Sequence, residues 1–138
     1  MIVLDTNVIS EALRPRPTAK VIDWLDAEPA GALFTTAITE AELLYGVALL
    51  PRERRKDALE AVVLRILADR FSGRILSFDS AAAREFADIV AARRKAGRPI
   101  GEADARIAAI ARSRAATLAT RGDAGFADCG IALVDPWT

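Results

Sequence analysis

Four acidic residues occupy positions from which their carboxylates could share one metal ion. Asp5 directly follows a short apolar run, and Asp123 follows a later apolar run, in a loop with two glycines. Glu42 and Asp104 fall on two segments with helical spacing, each beside apolar residues. Carboxylates gathered without a cation would repel one another and raise each other's pKa. An all-oxygen site suits Mg²⁺ or Mn²⁺, which activates water and stabilises a phosphodiester under attack.

Each of these acids also has an ordinary structural interpretation. Asp5, Thr6 and Asn7 are all favoured N-cap residues, so Asp5 could simply begin a helix. Glu42 could reach water from the edge of an apolar stripe. Asp104 lies in a first helical turn, where a negative charge is favoured by the helix dipole. Residue by residue, both interpretations stay open.

The composition restricts the chemistry further. None of the 138 residues is histidine, which removes Ser-His-Asp and Cys-His catalysis and most zinc sites. The single cysteine, Cys129, excludes an internal disulfide and fits a reducing cytoplasm, where we expect the protein. The 19 basic residues balance the 19 acidic ones, so a nucleic-acid partner needs a local basic patch. The candidate phosphate contacts are Arg14, Arg16 and Arg121, with a hydroxyl from Thr120.

Alternating apolar strands and amphipathic helices would position these residues. The predicted strands are residues 2–4, 32–36, 74–78, 117–120 and 131–134. Such alternation predicts right-handed crossovers and a parallel sheet with helices on both faces. Ligands bind where the carboxyl ends of parallel strands meet the following helices. Asp5, Glu42, Asp104 and the loop with Asp123 are therefore expected to converge at one edge.

The helix that carries Glu42 is predicted from Thr39 to about Leu50, ended by Pro51. Its expected apolar stripe consists of Ala41, Leu44, Tyr45 and Ala48. The next predicted helix could pair with it antiparallel, and exposed apolar residues of the pair could serve a partner. Ordinary packing on the sheet is slightly preferred.

Two other charged groups are interpreted as structural. Asp79 follows the third strand, and helix capping is preferred to a role in the site. The basic cluster of Arg93, Arg94 and Lys95 ends a predicted helix, where positive charge is favoured by the dipole, and Gly97 suits the position after it.

The chain is expected to form one domain over residues 1–138. Apolar residues make up 52% and charged residues 28%, which allows a sizeable core. There is no run of 18 apolar residues and no recognisable secretory signal, so neither a membrane span nor export is expected.

The order of these motifs resembles that of PIN-domain ribonuclease toxins of the VapC/FitB type. Each motif is weak alone, but five in the family's order along the whole chain are specific. The matching segments are residues 2–10, 38–43 with Gly46, Asp104 with 107–109, 118–121 and 135–137. The resemblance implies a PIN-like three-layer α/β/α sandwich with a parallel five-stranded sheet.

The same resemblance implies an Mg²⁺- or Mn²⁺-dependent endoribonuclease that uses metal-activated water. Asp5, Glu42 and Asp104 match the family's metal-binding acids. The implied partners are an RNA substrate, a cognate VapB-like antitoxin and a second copy of the chain, with a heterotetramer or larger complex when the antitoxin is bound.

The fourth acid departs from the family pattern. Where the family usually has Asn or Asp, and often another Asp before the Phe, this chain has Gly122 and Gly125. Two glycines permit unusual backbone angles that could bring Asp123 into the cleft. Alternatively the site has three acids and a weaker second metal. A catalytically weak PIN-like module that acts by antitoxin or nucleic-acid binding, and a metal-dependent phosphatase, are the other functions that stay open.

Overall fold

Five parallel strands form one sheet through the centre of the molecule. The computed structural model describes residues 1–123 and 125–138. The strands are β1 (Ile2–Leu4), β2 (Leu33–Thr36), β3 (Ile75–Leu76), β4 (Thr117–Ala119) and β5 (Ala132–Val134), in the order β3-β2-β1-β4-β5. The predicted parallel five-stranded sheet is confirmed. The strand order reverses between β1 and β4, which is where open α/β sheets bind ligands.

The central strand β1 has apolar residues facing both sides of the sheet. Val3 and Leu4 are buried, Val3 in one hydrophobic cluster and Leu4 in the other, because consecutive residues of a strand point to opposite faces. β1 pairs with β2 and β4, with Leu4 opposite Ala119. The ladder continues into the next residue, since the Asp5 N–H donates to the Ala119 carbonyl at 2.9 Å. Asp5 is thus fixed at the strand end by the sheet itself.

Six helices cover the two faces. They are α1 (Thr6–Ala12), α2 (Ala19–Ala27), α3 (Ala37–Ala48), α4 (Arg54–Arg65), α5 (Ser80–Lys95) and α6 (Glu102–Ser113). The cluster around Val3 contains residues of α5 and α6, and the cluster around Leu4 contains residues of α1 to α4. This arrangement confirms the predicted three-layer α/β/α sandwich. In the described residues, no helix is long and apolar enough to cross a membrane.

The helix that carries Glu42 differs from its prediction in start and in phase. α3 begins at Ala37 because the Thr36 hydroxyl caps it, accepting from the Thr39 N–H at 3.0 Å. Its buried residues are Thr39, Leu43 and Val47. The predicted stripe was wrong, since Tyr45 is 65% exposed and Ala41 and Ala48 are also exposed. Apolar residues surround this helix on several sides, so periodicity alone could not select the face that packs.

Smaller differences concern the ends of elements. β3 spans two residues rather than five, and after α4 the chain continues as a π-helical turn over Ile66–Arg70. Such turns are rare, and periodicity does not predict them. The capping interpretation of Asp79 is confirmed, because its carboxylate accepts from the Ala82 N–H at 2.9 Å.

Candidate active site

The Asp5 carboxylate is buried at the reversal of strand order, with 6% of the residue exposed. Its Oδ1 accepts from the Thr6 N–H at 2.8 Å, so Asp5 does cap α1. Its Oδ2 accepts from the Thr120 hydroxyl at 2.8 Å, and Thr120 Oγ1 in turn accepts from the Asn7 amide at 3.2 Å. Asp5 directly follows β1 and Thr120 directly follows β4, so the ends of two adjacent strands place these residues side by side. Both carboxylate oxygens are therefore oriented, and capping and a role in the site are compatible.

Glu42 reaches the same region from α3. Its Oε1 accepts from the Thr6 hydroxyl at 2.8 Å. Thr6 Oγ1 also lies 3.0 Å from the Thr39 hydroxyl, which is buried in the first turn of α3. Thr6 thus connects two acids, Asp5 through its backbone and Glu42 through its side chain.

Asp104 completes a group of three electrostatically coupled carboxylates. It lies in the first turn of α6 and is partly buried. Burial raises the pKa of Asp104, and the charge of Glu42 raises it further. Burial likewise raises the pKa of Asp5, as do the charges of Asp104 and Glu42, although hydrogen bonds from Thr120 and Thr6 oppose the shift. The ion pairs found in the described residues involve other acids, so no basic side chain neutralises this group there.

Comparison with known proteins identifies the family. The PIN domain model matches residues 2–131. The chain belongs to the PIN domain family. It is 42% identical over 141 residues to VapC ribonuclease Y4jK from Sinorhizobium fredii, covering 99% of this chain and 98% of the relative. It is also 42% identical over 137 residues to Toxin FitB from Neisseria gonorrhoeae, covering 99% of both.

Solved structures agree with this assignment. The crystal structure of FitAcB from Neisseria gonorrhoeae matches with a TM-score of 0.93 and 42% identity, covering 99% of both chains. Other matches include FitAB bound to a DNA fragment and a member of the VapBC family of toxin-antitoxin systems from Mycobacterium tuberculosis. The family resemblance expected from the motifs is confirmed.

The side chains of this PIN domain suit a hard divalent cation in type. Three carboxylates with neighbouring hydroxyls, and neither imidazole nor thiolate, form a donor set that Mg²⁺ or Mn²⁺ prefers. A cation would also offset the repulsion that raises the pKa of Asp5 and of Asp104. Within residues 1–123 and 125–138, no three acidic side chains already form an ion-binding cluster. Sharing one ion would therefore require Glu42 or Asp104 to move toward Asp5, whose two oxygens are already held by hydrogen bonds.

The loop after β4 carries Asp123, the fourth acid predicted for the site. Asp123 is exposed, and its charge is not among those that raise the pKa of Asp5 or of Asp104. Gly125 lies beside Asp104, since an added Cβ there would lie 4.0 Å from Asp104 Oδ2. Membership of Asp123 in the site stays a prediction.

The three candidate arginines have different surroundings. Arg14 lines a cavity of about 270 Å³ together with Thr6 and Glu42, on the α3 side of the site. Its guanidinium also lies 3.5 Å from the Glu11 carboxylate. Arg121 stacks on the Trp137 ring, 5.2 Å from its centre, while Arg16 is exposed. Arg14 is therefore the arginine that the structure brings next to a site acid.

Sequence reasoning missed the hydroxyl and amide groups that hold the acids. Thr6 and Asn7 were interpreted only as possible caps, and Thr39 as the start of a helix. Thr120 was proposed as a substrate contact, whereas its observed partner is Asp5. The run of polar residues directly after Asp5 was the available signal, because a helix needs only one cap.

Proposed function

We propose that the protein is a divalent-metal-dependent endoribonuclease and the toxin of a toxin–antitoxin pair. The observation that carries the proposal is the buried Asp5 carboxylate at the reversal of strand order, which Thr6 connects to Glu42. None of the ion pairs of the described residues includes either acid. The names of its relatives, a VapC ribonuclease and a toxin, support the same activity.

In this proposal Asp5, Glu42 and Asp104 would hold Mg²⁺ or Mn²⁺. The cation would activate a water molecule and stabilise the charge that develops on the phosphate. Asp5 is preorganised, because the Thr6 N–H and the Thr120 hydroxyl fix its two oxygens. Glu42 is oriented by Thr6, and Arg14 supplies positive charge at the rim for the RNA backbone.

The decisive experiment compares Asp104→Asn with Glu102→Gln in RNA cleavage assays. Both residues lie in the first turn of α6, but the Glu102 side chain is 80% exposed and pairs with Arg106. Asp104→Asn should lose more than the roughly 10–100-fold typical of residues that only support a metal ligand. Glu102→Gln should keep parental activity. Cleavage that persists in EDTA, or a fully active Asp104→Asn protein, would exclude the proposal.

We also propose a VapB-like antitoxin as the inhibitory partner, homodimers of the free chain, and a heterotetramer or larger complex, in the cytoplasm. The docking surface proposed for the antitoxin is made of exposed apolar residues of α3, of the two residues after it and of α4. Its residues are Tyr45, Leu49, Leu50, Val62 and Leu64. Light scattering of the chain alone and with the antitoxin measures these states, and Tyr45→Lys should weaken the complex without unfolding the chain.

A second candidate is a PIN-like module that has lost its metal and acts by binding. The observations in its favour are Gly122 and Gly125 at the positions of family acids, and the absence of a preformed cluster among the described acids. Calorimetric titration with Mn²⁺ separates the two. Binding that Asp5→Asn abolishes supports the nuclease, and no binding supports the module.

A further inference from the structure

Arg93 is a buried arginine that uses its charge to bind backbone rather than an acid. It lies in the last turn of α5, with 6% of the residue exposed, and is absent from the ion pairs of the described residues. Its Nε donates to the Arg98 carbonyl at 2.7 Å, and its Nη1 donates to the Ala127 carbonyl at 2.9 Å. A buried charge is tolerated only when its donors are satisfied, and carbonyl oxygens do this here.

The same guanidinium contacts the loop beside Asp104. Nη1 lies 3.3 Å from the Gly125 carbonyl oxygen and 3.6 Å from the Cys129 sulfur. Gly125 is also the residue whose added Cβ would lie 4.0 Å from Asp104 Oδ2. One side chain of α5 therefore fixes the backbone that borders a site acid on α6.

The loop needs such a restraint because part of its backbone is strained. Asp128 has φ of 61°, a left-handed conformation that side chains other than Gly rarely adopt. Two more arginines hold the same segment, Arg98 through the Asp128 carboxylate and Arg112 through the Cys129 carbonyl at 3.4 Å. Of these three arginines, Arg93 is the one with a hydrogen bond to Gly125 among the described residues.

We propose that Arg93 is a positioning residue for the site, holding residues 125–129 so that Gly125 packs beside Asp104. The proposal rests on the proposed nuclease function. Arg93 is buried beneath the loop and does not reach RNA, so its loss acts through Asp104. Release of the loop should weaken Mn²⁺ binding and lower kcat by about 10–100-fold, the usual range for supporting residues, and leave KM unchanged.

The test compares Arg93→Met, Arg93→Lys and the control Arg94→Met. Arg94 lies in the same turn but is exposed, and its side chain makes no hydrogen bond recorded in the described residues. Hydrogen exchange of the amides of residues 126–129, Mn²⁺ affinity by calorimetry, and kcat and KM on RNA are measured for each. Arg93→Met should show faster exchange, weaker Mn²⁺ binding and lower kcat. Arg94→Met should match the parent.

Arg93→Lys keeps the positive charge but loses the planar guanidinium, whose N–H groups bind several carbonyl oxygens at once. This variant serves as the test should Arg93→Met fail to fold. It should retain part of the protection and part of the Mn²⁺ affinity. If the parent cleaves RNA and both Arg93 variants match it in exchange, affinity and kcat, the positioning role is wrong while the nuclease stands. If the parent neither binds Mn²⁺ nor cleaves RNA, both proposals are overturned.

Discussion

The Asp5 side of the site and the loop side, formed by residues 121–123 and Gly125, are built in different ways. Asp5 lies at the end of a central strand, and each of its carboxylate oxygens accepts a hydrogen bond. On the loop side, the Gly122 N–H donates a hydrogen bond to the Asp135 carboxylate near the C-terminus. The Asp123 side chain is exposed to solvent. The strand end places the backbone of Asp5, and Thr120 holds one oxygen of its carboxylate. On the second side, side chains from other parts of the chain hold the loop backbone but not Asp123.

Asp5→Asn tests the Asp5 side of the site, called the ordered side below, and should have the largest effect on activity. It removes charge from a buried acid of the site while keeping its shape and its ability to cap α1. We expect RNA cleavage to fall by well over the roughly 100-fold upper range for supporting residues. A variant that folds but retains parental cleavage in Mn²⁺ would show that the ordered side is structural only.

The same substitution should make the stability of the metal-free protein less dependent on pH above the usual pKa of a carboxyl group. Burial raises the pKa of Asp5 above its usual value, so the folded state favours the protonated acid. The stability contribution of such a group is greatest below the unfolded pKa and is lost as pH rises through the folded pKa. In EDTA, the Tm of the parent should therefore fall with rising pH more than that of Asp5→Asn. If the Tm of both proteins changed equally with pH, the raised pKa of Asp5 would be contradicted.

Thr6→Val should have the next largest effect, because Thr6 connects the two acids of the ordered side. The substitution keeps the backbone bond to Asp5 but removes the hydroxyl that orients Glu42. Mn²⁺ affinity, measured by calorimetry, should fall by about 10–100-fold. Thr6→Ser retains a hydroxyl and serves as the control. Equal affinities of the two variants would show that Glu42 needs no orientation.

The same contrast explains what could be predicted from the sequence. The apolar run Ile2–Leu4 and the polar residue after it predict a central strand with an acid at its end, and both are observed at β1 and Asp5. Such local patterns depend on neighbours in the chain, so one sequence suffices. The resemblance of the motifs to the PIN family then selected the correct fold among the α/β sheets.

What the sequence did not predict involves contacts between distant segments. Arg93 fits the negative, C-terminal end of a helix as well as Arg94 does, and the packing of the loop onto α5 distinguishes them. The prediction of which face of α3 is buried was wrong for a related reason. Several faces of this helix are apolar, and the neighbouring helices decide which one packs. Tertiary contacts of this kind leave no periodic signal.

Gly125→Asp should give the loop side a carboxylate that helps to bind Mn²⁺. The expected change in affinity is smaller than the losses expected for the substitutions above. An added Cβ at this position meets only Asp104 Oδ2, at 4.0 Å, so a carboxylate there would join the acids. We expect Mn²⁺ binding to tighten by about tenfold, the size of one modest charge interaction. Gly125→Asn adds the same bulk without charge. If both variants bind Mn²⁺ equally, or both less well than the parent, the gap beside Asp104 is not a ligand position.

Asp123→Asn should have the smallest effect and decides the comparison most directly. Asp123 is exposed, and its charge is not among those that perturb the pKa of Asp5 or of Asp104, so Mn²⁺ affinity and kcat should stay at parental values. A loss as large as that of Asp104→Asn would mean that the loop closes over the ion and carries Asp123 inward. The loop would then be a working part of the site rather than its border. Gly125→Asp adds a carboxylate to this loop and Asp123→Asn removes one. Tighter Mn²⁺ binding by Gly125→Asp would mean that the loop lacks a metal ligand. Weaker binding by Asp123→Asn would mean that Asp123 becomes a ligand when the metal binds.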